Sequence, residues 1–272
     1  MTPEILNALA QTAVATGFTF LCTTLGAAAV FFLKPGAKRG PGAELAETVS
    51  LGFAAGIMVA ASVWSLIMPA QAMSEAQGGT PWLTAAAGVA AGALFLKLLD
   101  TALPHLHPGA ARPEGPKTSM HRAMLLFIAI TLHNIPEGGS MGLVAGSAAL
   151  SGEPAALSSA LALALGLGIQ NIPEGAAVSL PLAGQGLSRR RAFLFGAVSG
   201  IVEPVFGLLI VLVLQSVMPA MPFMLTFAAG AMLYVVVEEL IPAAHLSKHS
   251  DAGTLAVIAG FILMMTLDTA LG

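Results

Sequence analysis

The chain has 272 residues, 56% of them hydrophobic and 9% charged, with a formal net charge of −3 and a mean hydropathy of +0.86. A soluble domain carries about 25% charged residues, so this composition describes a membrane protein and excludes a large soluble core; no basic patch points to nucleic acid. The single cysteine, Cys22, excludes an intrachain disulfide and a cysteine-only metal site.

A transmembrane helix needs about 20 mainly apolar residues. Eight such segments follow one another in a single domain, 1–272, predicting an all-α membrane bundle. The first, about 5–33, has no basic leader and is too long for a signal-peptide core, so it reads as a span. After "KPGAKRGPGAE" comes 44–70, and after "QGGTP" comes 81–103. A loop, 104–121, carries "PHLHP" with His105 and His107, read equally as a metal-collecting lure or a polar loop. The fourth segment, 122–149, contains "HNIPEG" (His133 to Gly138). "SGEPA" separates it from 155–183, which contains "QNIPEG" (Gln170 to Gly175). The sixth, 192–218, contains Glu203-Pro204; "MPAMP" precedes 221–243, and 252–271 closes the chain.

Ten of the eleven Lys and Arg residues fall in loops 1, 3, 5 and 7; the eleventh, Lys97, sits near a span end, where it can snorkel. The positive-inside rule then places the odd loops in the cytoplasm and both termini outside. Spans 2 and 7 share "FAAGIM" (53–58) and "FAAGAM" (227–232), and spans 3 and 8 share "AGALFLKLLDTAL" (91–103) and "AGFILMMTLDTAL" (259–271). With opposite orientations, spans 1–3 and 6–8 form an inverted repeat around a central hairpin of spans 4 and 5, an arrangement found in transporters.

The hairpin sets the two motifs at one depth on antiparallel helices. Residues i and i+4 share a helix face, which aligns His133 with Glu137 and Gln170 with Glu174. Pro136 and Pro173 each remove an N–H, freeing the carbonyls of Leu132 and Ile169, and are expected to open the helices there. Glu203 lies about 18 Å into its span from the Arg191 end, and Met58 sits at a similar depth. Of the fourteen acids, Asp100, Glu137, Glu174, Glu203, Glu238, Glu239 and Asp268 fall within spans or at their ends, against one basic residue. Either several are protonated or a cation supplies the missing charge. One imidazole, three carboxylates, amide oxygens and a thioether suit a divalent transition metal. Asp100 and Asp268 occupy matching repeat positions at opposite faces, which suggests gate or vestibule roles.

"HNIPEG", "QNIPEG" and Glu203-Pro204, on eight helices with both termini outside, resemble the ZIP family of divalent metal transporters. "IQNIPEGAAVSLPL", "SGIVEP" and "FAAGAMLYVVVEELIP" are similar to its GufA branch. The resemblance implies a 3+2+3 bundle of helices. It implies movement of Zn²⁺ toward the cytoplasm as transported substrate, with Cd²⁺, Fe²⁺ or Mn²⁺ as other candidates. It implies alternating access by the sliding of one bundle on another, no organic cofactor, and a multi-pass location in a bacterial inner membrane. The implied partners are divalent cations and the lipid bilayer, with a homodimer left open. The implied main site is His133, Glu137, Gln170 and Glu174; an adjacent one is Asn134, Asn171 and Glu203, with Met58 nearby and the motif glutamates bridging. Ser65 and Asp268 would line the entrance; Asp100, Glu238 and Glu239, with His245 beyond, the exit. The chain departs from the family pattern at Gln170, where some members have His, and at Asn171, where some have Asp; both changes remove a strong ligand. An intramembrane zinc hydrolase is the alternative, but the H-E-x-x-H pattern that often announces one is absent. A proton or monovalent-cation path through the same carboxylates is a third reading, weakly opposed by His133 and Met58.

Overall fold

The computed structural model describes residues 2–32, 41–102, 122–184, 186–245 and 250–271. The loop 104–121, with His105 and His107, lies outside the described residues, as do the side chains of His133 and His245. All regular structure among the described residues is helical.

α1 (Pro3–Ala27) starts on Thr2, whose hydroxyl accepts from the Ile5 N–H at 3.4 Å, and a 3₁₀ turn extends it to Phe32. α2 (Pro41–Ala61) runs through a π segment, Ser62–Ile67, into α3 (Met68–Ala76). This rod outlasts its expected apolar limit by six residues, because nothing breaks it before Gly78, which adopts a positive φ of 74°. α4 (Pro81–Ala102) follows, then α5 (Arg122–Ser151) and α6 (Pro154–Gly184), joined through Gly152 at φ 66°. α7 (Arg189–Ser199) and α8 (Val202–Val217) form the sixth rod. α9 (Met221–Val235), a second π segment (Val236–Leu240) and α10 (Ile241–His245) form the seventh, and α11 (Ser250–Leu271) is the last. Among the described residues, seven helical rods are long and apolar enough to cross a membrane; α5 is not among them, its polar motif lowering its hydropathy.

Two backbone features differ from expectation. α5 and α6 continue as α-helix through Pro136 and Pro173, so each motif proline removes one bond without opening the helix. The sixth rod, expected to be continuous, breaks at Gly200–Ile201. Pro204 has no N–H to offer the Gly200 carbonyl. That carbonyl takes the Glu203 N–H instead at 3.1 Å, while Gly200 and Ile201 reach back three residues to Ala197 and Val198. The π segments end two residues before Pro69 and Pro242, and each is closed by a five-residue bond, Met68 N–H to Val63 and Ile241 N–H to Val236. Such turns recur at functional positions.

The rods pack as two groups. α1, α5, α6, α7 and α8 form one; α2, α3, α4, α9, α10 and α11 form the other, joined through α2 with α6, α5 with α9 and α6 with α11. In the second group α2 crosses α11 and α4 crosses α9 through equivalent residues. A Cβ on Gly56 would meet the Val257 carbonyl, and one on Gly230 the Val89 carbonyl. A Cβ on Gly260 would meet the Phe53 carbonyl, and one on Gly92 that of Phe227. Small residues let membrane helices approach this closely. The buried core runs through Met58, Leu66, Leu163, Leu167, Met232 and Met264. Outward faces carry exposed Val14, Leu21, Leu25, Leu94, Leu98, Leu212 and Ile258, a surface suited to lipid and not to water.

Candidate metal site between the motif helices

The α5–α6 hairpin brings the motifs level. Gln170 Nε2 donates to Glu137 Oε1 at 2.8 Å, and both residues are buried. His133 lies one turn before Glu137 on α5, and Glu174 one turn after Gln170 on α6. Glu174 is buried, and Glu137 is within electrostatic reach of both Glu174 and Glu203. The motif glycines explain how other helices come so near. A Cβ on Gly138 would run into the backbone of Glu203 on α8, and one on Gly175 into the Thr23 carbonyl on α1.

Asn134 Nδ2 donates to the Ser199 carbonyl at 2.9 Å. That carbonyl would ordinarily bond the Glu203 N–H, which the break has turned to Gly200. Asn134 thus caps the break that sets Glu203 at the head of α8. Asn171 Nδ2 donates to Glu203 Oε2 at 2.9 Å and to the Thr19 carbonyl at 3.3 Å, and Thr23 Oγ1 donates to Glu203 Oε1 at 3.2 Å. Met58 is fully buried on α2, a helix that packs against α6.

Five side-chain oxygens on these two facing turns have no hydrogen-bond partner among the described residues: Asn134 Oδ1, Glu137 Oε2, Gln170 Oε1, Asn171 Oδ1 and Glu174 Oε2. A buried polar atom without a partner costs roughly 1–3 kcal/mol. Bare amide and carboxylate oxygens are the donor type a cation accepts; among the described residues no three His, Cys, Asp or Glu side chains are grouped as a metal cluster.

A protein-family comparison places residues 110–268 in the family described as ZIP Zinc transporter. The chain is 35% identical to human Zinc transporter ZIP11, with 96% of this chain and 97% of that protein covered. It is 37% identical to Zinc transporter ZIPB of Bordetella bronchiseptica, over 93% and 79% respectively. It is 36% identical to Zinc transporter GufA of Myxococcus xanthus, over 91% and 100%.

The chain belongs to the ZIP family. It is therefore an integral, multi-pass membrane protein, and the relatives it matches are named as transporters, not enzymes.

Away from the motifs, the ZIP chain pairs Ser65, inside the first π segment, with Asp268 on α11: Ser65 Oγ donates to Asp268 Oδ1 at 2.7 Å, and both are buried. Asp100, at the end of α4, and Glu239, inside the second π segment, are buried, whereas Glu238 is exposed. His245 ends α10. Sequence reasoning missed the α1 contribution. Thr12, Thr16, Thr19 and Thr23 are all buried on α1 and spaced by four, three and four residues, one helix face. That spacing was a readable signal, and it leads to Glu203 through Thr23.

Proposed function

We propose that this ZIP protein carries divalent transition-metal ions, Zn²⁺ first among them, toward the cytoplasm by alternating access through the site between α5 and α6. The observation that carries the reading is the set of five buried oxygens on the two NIPEG turns that have no partner among the described residues, on helices of a family whose members are named for zinc. His133, Glu137, Gln170 and Glu174 hold the ion as transported substrate, with Met58 offering a thioether from the facing group of helices. Carboxylate, amide and imidazole donors accommodate Cd²⁺, Fe²⁺ or Mn²⁺ as well, so affinity order alone does not set selectivity.

The eight rods span the bilayer in a 3+2+3 inverted repeat with both termini outside. What supports the repeat is the register of the glycine crossings: Gly56 on Val257 answers Gly230 on Val89, and Gly260 on Phe53 answers Gly92 on Phe227. The two π segments fall at corresponding places in spans 2 and 7. The ion enters past Ser65 and Asp268 and leaves past Asp100, Glu238 and Glu239, with His245 beyond; the histidines of loop 104–121, His105 and His107, belong to the cytoplasmic side. The Lys and Arg distribution supports that orientation; a bacterial inner membrane as the location and a homodimer as the assembly are parts of the proposal. The test is flux of Zn²⁺ and Cd²⁺ into proteoliposomes loaded with a fluorescent chelator. Uptake above that of empty liposomes is expected; no flux of any divalent ion, with metal still bound to the protein, would overturn the transport reading.

A further inference from the structure

A groove of about 590 Å³ lies between α1, α5 and α6, and no residue of either motif lines it. Its floor is made of alanines: Ala145 on α5 and Ala160 and Ala164 on α6 are all buried. Its walls are long side chains that stand exposed on either side, Val14 and Phe18 on α1 and Leu157 and Leu161 on α6. Small residues below and large ones at the rim make a channel; the same apolar content in another order would make a flat helix face. Among the described residues of the lining, Gln11 is the one polar side chain, and its Nε2 donates to Asn7 Oδ1 at 3.4 Å, one turn nearer the start of α1.

We propose that this groove binds one acyl chain of a zwitterionic, amine-bearing phospholipid, with the headgroup ammonium toward Glu4 and Glu153. The proposal rests on the eight-span arrangement above, in which α1 and α6 enter the bilayer from the same face; it does not rest on metal transport. The groove follows residues 10–18 and 157–165, about 12 Å of helix, against about 15 Å for the hydrocarbon of one leaflet. A cavity with one polar side chain does not hold water, and an unfilled one forfeits the contacts of its lining; a hydrocarbon chain supplies them. The polar end of the groove is the end a chain would enter, because the Asn7 and Gln11 amides lie on the side toward the start of α1. Beyond them stand Glu4 on α1 and Glu153 before α6, both exposed. No Lys or Arg falls in the loops of that face. A headgroup there meets carboxylates and no basic side chain, which favours an ammonium over a net negative charge.

The experiment strips the purified full-length protein of lipid in detergent, adds dioleoyl phosphatidylethanolamine or dioleoyl phosphatidylglycerol, and reads retained lipid by native mass spectrometry. One phosphatidylethanolamine per chain is expected to stay bound, and phosphatidylglycerol with the same chains to be retained less. Ala164→Phe fills the floor, and Val14→Trp closes the groove from an exposed position; each is expected to lose the bound lipid. Leu212→Trp, at an exposed position of α8 outside the groove, should keep it. The Glu4→Gln, Glu153→Gln double variant should lose the preference between headgroups and still retain lipid. Equal retention by the parent and the two filled variants would mean annular lipid only and would overturn the proposal, as would phosphatidylglycerol held as well as phosphatidylethanolamine. Val14→Trp decides the matter where Ala164→Phe does not fold. The readout contains no metal, so its failure leaves the transport reading to be judged by flux alone.

Discussion

Two adjacent glycines, Gly138 and Gly139, are expected to respond in opposite ways to one added methyl group. A Cβ on Gly138 would be driven into the Cα and carbonyl of Glu203, which are backbone atoms and have no rotamer to retreat into. A Cβ on Gly139 meets nothing within 4 Å. Overpacking a core position costs about 1–3 kcal/mol, and the rigid neighbour puts Gly138→Ala toward the upper end. Ala at an unobstructed helical glycine gains about 0.5–1 kcal/mol. For a chain of this size ~1 kcal/mol moves the midpoint by about 2–4 °C. Gly138→Ala should therefore lower the unfolding temperature in detergent by about 5–10 °C, and Gly139→Ala should leave it equal or slightly higher. The functional consequence follows from the same contact: displacing Glu203 from α5 shifts the head of α8 and the bonds from Asn171 and Thr23. Zinc uptake should fall in Gly138→Ala and hold in Gly139→Ala. Equal stability of the two variants, or the reverse order, would refute the α5–α8 approach described above.

The crossing glycines should behave as a set: Gly56→Ala and Gly230→Ala, at corresponding places in spans 2 and 7, are each expected to destabilise by about 1–3 kcal/mol, read as matched shifts in the detergent unfolding temperature. Ser65→Ala removes the donor to Asp268 and leaves a buried carboxylate oxygen unpaired, at a cost of about 1–3 kcal/mol; the unfolding midpoint and the zinc concentration for half-maximal uptake should both move, and Ser65→Thr should recover part of the loss. Asn134→Leu uncaps the Ser199 carbonyl, and faster amide hydrogen exchange over residues 199–203 is the expected signature.

Much of this fold was legible because each rod is a long apolar run closed by turn residues, and a run of Leu, Ala and Val reports little except its own length. Proline was the less reliable guide. Pro136 and Pro173 sit inside helices that continue past them, since one lost bond is tolerated where neighbouring rods hold both sides. Pro204 accompanies a real break, because Gly200 lies one turn upstream and Asn134 is placed to take the released Ser199 carbonyl. That difference depends on a partner 65 residues away, which no local pattern contains. The pairing of the two motifs followed from hairpin arithmetic, and Gln170 does bond Glu137. The hydroxyl face of α1 was overlooked because threonine in an apolar helix reads as packing; its role emerges only when α1 is seen against Glu203. The π segments left no trace beyond the prolines that follow them.

The central claim is that the two NIPEG turns form the path of the ion, and the initial rate of ⁶⁵Zn uptake by Glu174→Ala proteoliposomes tests it most directly. Loss of a residue that merely supports a metal ligand already lowers affinity about 10–100-fold, so loss of a ligand itself should bring uptake down to that of empty liposomes. Gly139→Ala, reconstituted in parallel, should keep the parent rate. A Glu174→Ala protein that folds, inserts and carries zinc as fast as the parent would contradict the account.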